Sequence, residues 1–86
     1  MAAMVTLTAN AQVDAANLPR TIQVRLAGIL VRLEKWPQVS GAKALSGELA
    51  GNYRIRTGDY RIVFNVSPDG QNVTIWKIGH RGGVYD

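Results

Sequence analysis

Two stretches of the chain alternate apolar and cationic side chains with a period of two. These are Tyr53-Arg54-Ile55-Arg56-Thr57 and Tyr60-Arg61-Ile62, the latter continuing through Val63, Phe64 and Val66. Successive side chains of a strand point to opposite faces, so the pattern predicts two strands with one apolar and one cationic face. Gly58-Asp59 between them reads as a two-residue hairpin loop. That loop sets the register: Thr57 faces Tyr60, Arg56 faces Arg61, Ile55 faces Ile62, Arg54 faces Val63 and Tyr53 faces Phe64. The arginines then share one side, where like charges meet across strands, and stability alone gives no reason for such a pair.

Ser67-Pro68-Asp69-Gly70 is a turn signal, and a third strand is expected over about residues 72–78. Pairing Ser67 with Gln71 puts Arg61 opposite Lys77 and Ile62 opposite Trp76. Arg56, Arg61 and Lys77 then form one row, with Arg54 one step along. Tyr53, Ile55, Ile62, Phe64, Trp76 and Ile78 form the core face.

Upstream the period is helical. Ile22, Leu26, Ile29, Leu33 and Trp36 recur at spacings of four, three, four and three, which places them on one face of a helix. Pro19 suits its first position, and Trp36-Pro37 ends it, because proline disfavours helical geometry in the residue before it. Arg20, Arg25, Arg32 and Lys35 lie off that stripe as a solvated basic face. Thr8 is placed to cap a short Ala-rich helix over about residues 10–17, and Met4 to Thr8 is β-prone. Residues 38–51 hold three glycines and two serines and read as a loop anchored by Leu45 or Leu49. The expected fold is α+β: a single domain over 1–86, with a small twisted antiparallel sheet and an N-terminal helical hairpin on one face.

Composition narrows the function. Without cysteine, and with His80 as its one histidine, the chain has no disulfide and no thiolate or multi-histidine metal site. No apolar run approaches the roughly 20 residues of a membrane span, and no secretory pattern opens the chain, so a cytosolic protein is expected. Ten Lys and Arg against six Asp and Glu give a net charge of +4, which favours nucleic acid or an acidic protein as partner.

The segment Leu45-Ser46-Gly47-Glu48-Leu49-Ala50-Gly51-Asn52 through Phe64, with Ile78-Gly79-His80-Arg81-Gly82-Gly83-Val84-Tyr85, resembles the RelE/ParE superfamily of toxins. The likeness is strongest from Leu45 onward and rests on layout before it. It implies the toxin of a type II toxin–antitoxin pair, neutralised by an antitoxin encoded beside it. It implies further, for the RelE branch, cleavage of messenger RNA in the ribosomal A site. The basic and aromatic positions of RelE-like nucleases fall on Arg54, Arg56, Arg61, Arg81 and Tyr85.

RNA cleavage without a metal or cofactor uses the 2′-hydroxyl as nucleophile on the adjacent phosphate. The site must accept that proton, stabilise charge on the phosphoryl oxygens and protonate the departing 5′-oxygen. Arg56 and Arg61 are candidates for charge stabilisation. By resemblance, Arg81 stands near the leaving oxygen as acid or electrostatic stabiliser. Tyr85 either stacks on a base or tucks against the sheet edge. Lys77 is a candidate phosphate contact. The best-known member of the superfamily has lysines where this chain has Arg54 and Arg56, and arginine does not readily give up its proton, so no general base is assigned. His80 falls on the core side by alternation, which favours a structural or positioning role. Two further readings stay open: a ParE-like DNA gyrase poison, and a degenerate member that binds its antitoxin or RNA without chemistry. Exposed sheet edges invite an antitoxin strand or helix, and an acidic antitoxin would cover the cationic face.

Overall fold

The computed structural model describes residues 2–80. Strand β1 (Met4–Leu7) runs into helix α1 (Ala9–Ala16), and Thr8 caps it by accepting a hydrogen bond from the Ala11 amide at 3.2 Å. Helix α2 (Arg20–Leu33) starts one residue after Pro19, which takes the extended cap position itself. The side-chain amide of Gln23 donates to the Ala15 carbonyl at 3.0 Å and ties the two helices together.

Ile22, Leu26, Ile29 and Leu33 are buried as the stripe predicts. The helix ends at Leu33, and Trp36 reaches the core from a turn instead. Its ring meets Tyr53 edge-on at 4.6 Å and Phe64 at 5.6 Å. The aromatic contact therefore survives the loss of helical geometry.

Residues 38–51 are not all loop. Strand β2 (Lys43–Ala44) pairs antiparallel with β3 (Asn52–Thr57), and a single 3₁₀ turn spans Gly47–Leu49. Leu45 and Leu49 are both half-buried. The β3 to β4 (Tyr60–Val66) register is as expected at every pair, from Thr57 opposite Tyr60 to Tyr53 opposite Phe64. Gly58 makes that turn possible with φ at +58°, the left-handed value that a type II′ turn needs at its first central residue.

Strand β5 (Asn72–His80) departs from expectation. Ser67 pairs with Asn72 rather than Gln71, and a bulge interrupts the β4–β5 ladder between Val63 and Phe64. Phe64 faces Ile75, Val63 faces Lys77 and Arg61 faces Gly79, so Trp76 is the extra residue. Ile78 takes the core position opposite Ile62 that was assigned to Trp76, and Ile75 is buried opposite Phe64.

The α+β layout with a helical hairpin on one face holds, in a five-stranded sheet of order β1-β5-β4-β3-β2. The sheet is mixed, because β1 joins β5 in parallel. The chain between them, through both helices and strands β2 to β4, is the crossover that a parallel neighbour requires. No helix among the described residues is long and apolar enough to cross a membrane.

Candidate functional site

The face of the sheet opposite the helices carries the cations. Directly paired residues project to the same side, so the observed register defines two rows. One is Lys43–Arg54–Val63–Lys77 across four strands, and the other is Arg56–Arg61–Gly79 across three. The expected row of Arg56, Arg61 and Lys77 is thus corrected. The bulge moves Lys77 into line with Arg54, and the position beside Arg61 is a glycine with no side chain. Lys43 was missed because a two-residue strand within a Gly- and Ser-rich segment leaves no alternation to read.

Burial separates these cations. Arg54 is 5% exposed and Arg61 4%, whereas Arg56 and Lys43 are exposed and Lys77 is half-buried. Burying an arginine carries the cost of desolvating its charge. Among the described residues, Arg54 Nε has no hydrogen-bond partner. Arg61 Nη1 lies 3.4 Å from the Tyr60 carbonyl.

Trp76 joins this face and leaves the core. Its indole Nε1 donates to Asn52 Oδ1 at 2.9 Å, reaching from β5 to β3 across β4. The Asn52 amide is itself oriented by donating to the Leu49 carbonyl at 3.1 Å. Neither residue was a sequence candidate, since a mid-strand bulge has no marker in this sequence.

His80 lies on the side of the sheet that alternation predicts, opposite Tyr60, with the two rings edge-on at 5.3 Å. It is on the rim rather than in the core, with 60% of its side chain exposed and Nε2 4.0 Å from Asp59 Oδ2. That is a surface pairing at the β3–β4 turn. Arg81 and Tyr85 lie outside the described residues.

A groove of about 260 Å³ separates α2 from β3 and is lined by Arg25, Gly28, Ile29, Arg32, Arg56 and Thr57. Gly28 is in the middle of α2, where glycine is less favourable than alanine by roughly 0.5–1 kcal/mol. A methyl group there would meet nothing within 4 Å. A second hollow, of about 340 Å³, lies beyond Trp36 and Tyr53, and among the described residues no charged side chain lines it.

Two helices on one face of a small sheet are the layout of the RelE-like class of toxin. The chain belongs to the family described as ParE toxin of type II toxin–antitoxin system, parDE, whose pattern matches residues 5–85. The match includes the N-terminal half, where sequence motifs were weakest. Toxin RelG of Mycobacterium tuberculosis is 35% identical over 43 residues, which are 50% of this chain and 49% of RelG. The alignment thus spans about half of that relative's length. Among solved structures, the toxin–antitoxin complex RelBE2 from Mycobacterium tuberculosis matches with a TM-score of 0.80 and 28% identity, covering 94% of this chain and 100% of that one. The archaeal RelE–RelB complex from Pyrococcus horikoshii gives 0.75 and 25% over 98% and 100%. The isolated Escherichia coli RelE toxin shares the fold, at 0.76 and 21% over 92% and 84%.

Proposed function

We propose that this toxin is an endoribonuclease that cleaves messenger RNA in the ribosomal A site and is held inactive by a cognate antitoxin. The observation that carries this reading is the pair of buried guanidiniums, Arg54 and Arg61, on the face of the sheet away from the helices. Arginine's planar fork suits two phosphoryl oxygens at once.

In the reaction, the 2′-oxygen forms a bond to phosphorus as its proton passes to solvent water. The bond from phosphorus to the 5′-oxygen breaks as that oxygen takes up a proton from solvent, leaving a cyclic 2′,3′-phosphate and a 5′-hydroxyl. Arg61 and Arg56, directly opposite each other on β4 and β3, stabilise the extra charge on the phosphoryl oxygens. Arg54, Lys43 and Lys77 share the neighbouring row and hold flanking phosphates. Arg81 assists the leaving oxygen and Tyr85 stacks on a base, both by their positions in the resemblance. His80, paired with Asp59 at the rim, is a positioning residue. No metal or cofactor takes part in this scheme. The antitoxin is supported by the kind of complex in which the related chains occur.

The matched family carries the ParE name, and the resemblance gives a ParE-like toxin a second reading, inhibition of DNA gyrase. Primer extension on a defined messenger RNA in a reconstituted translation system tests the first, with and without ribosomes and with Arg61→Ala alongside. Ribosome-dependent cuts that vanish in the variant support the nuclease. An absence of cuts, with loss of supercoiling by purified gyrase, overturns it in favour of the second.

A further inference from the structure

Helix α2 presents Arg25 and Arg32 seven residues apart, two turns along the same side and about 10 Å from each other. Gly28 lies between them. Helix α2 contains no Asp or Glu, and among the described residues neither arginine has a carboxylate within ion-pair distance. Arg32 is braced by donating to the Ser40 carbonyl at 2.6 Å. Arg25 Nη1 reaches the β3–β4 turn, 3.5 Å from where a Cβ at Gly58 would stand. Both cations therefore border the groove between α2 and β3, whose floor holds Ile29 and Gly28.

Gly28 has no reason within this chain. No neighbour crowds it, its helical backbone suits any residue, and glycine weakens a helix interior. Its missing side chain makes room for something from outside. We propose that the groove receives an extended acidic segment of the antitoxin, with its backbone against Gly28 and carboxylates against Arg25 and Arg32. The inference rests on the reading of this chain as a toxin neutralised by a protein partner. Charge complementarity selects the occupant, and the groove's position selects protein over RNA. The groove opens beside α2, on the helical layer, whereas the buried arginines that suit RNA lie on the opposite face. Arg56 borders both places, so a segment in the groove also reaches the edge of the cationic face.

The test uses the full chain and, as its probe, the product of the adjacent open reading frame, purified and titrated against it. Gly28→Ala should raise the melting temperature of the free chain. Gly28→Leu and Arg25→Glu should leave cleavage by the free chain unchanged and weaken the complex roughly tenfold or more. Arg25→Glu should also flatten the salt dependence of the affinity. Failure of the wild type to bind the probe overturns the toxin reading and the groove with it. Equal affinity of wild type and variants overturns the groove alone. Loss of RNA cleavage with partner binding intact assigns the groove to RNA and overturns the proposal.

Discussion

The indole of Trp76 on β5 donates to Asn52 on β3 at 2.9 Å, crossing the intervening strand on the cationic side of the sheet. The bulge makes this possible, because Trp76 is the extra residue between Ile75 and Lys77. Trp76→Phe removes the donor and leaves the Asn52 oxygen unsatisfied. We expect a loss of about 1–2 kcal/mol, read by urea unfolding. The double-mutant cycle with Asn52→Ala should give a coupling of roughly 0.5–1.5 kcal/mol. Strict additivity of the two changes would rule out the contact.

Asp14 closes a different gap. Strand β1 pairs with β5 only from Met4 to Leu7, opposite Asn72 to Ile75, and beyond that the Asp14 carboxylate of α1 accepts from the Ile78 amide at 3.1 Å. A helix side chain thus continues the edge where the strand stops. Asp14→Ala should cost about 1–3 kcal/mol, while Asp14→Asn, which keeps an acceptor, should recover most of it. Hydrogen exchange gives the local readout. Faster exchange of the Ile78 amide in the alanine variant is expected, and an unchanged rate would refute the role.

The turn between β4 and β5 carries a pH dependence. Asp69 is held below its ordinary value of 3.8, first by the Ser67 hydroxyl, which donates at 2.6 Å, and then by the Gln71 amide at 2.9 Å. A carboxylate with a lower pKa in the folded state binds fewer protons there than in the unfolded chain. Its contribution is therefore fully present above the unfolded value and is lost as pH falls through the folded one. The stability difference between wild type and Asp69→Ala should stay constant from about pH 7 to about pH 5 and shrink below 3.8. A difference that begins to close near neutrality would assign the dependence to another group.

The contrast between the two hairpins explains what the sequence could reveal. Gly58-Asp59 leaves one way to close a two-residue turn, so the β3–β4 register and the shared side of Arg54, Arg56 and Arg61 were legible from alternation alone. Pro68-Asp69-Gly70 permits several closures, and the bulge at Trp76 then shifts every later pair. The placement of Lys77 failed for that reason. Lys43 was hidden because its strand is held by pairing with Arg54 rather than by a pattern of its own. The parallel pairing of β1 was illegible for the same kind of reason, since four residues carry no mark of the strand they will join. The α2 stripe was legible because burial enforces its period, down to Leu33.

Arg54 puts function against stability. Its side chain is 5% exposed, its Nε lacks a partner among the described residues, and it shares a row with Lys43 and Lys77. Each of these raises the free energy of the folded, unliganded chain, since a buried donor left unmade and a charge among like charges both oppose folding. Methionine fills similar volume without charge or donor. Arg54→Met should therefore stabilise the free protein by about 1–3 kcal/mol, seen as a higher urea midpoint at unchanged slope. The same variant should lose at least roughly tenfold in RNA cleavage, as expected when a phosphate contact is removed. Arg54→Lys keeps a charge but not the fork, so it should fall between the two in affinity for RNA and gain little stability. A methionine variant that is less stable than wild type would show that the guanidinium supports the fold, and the case for a phosphate at this position would fall with it.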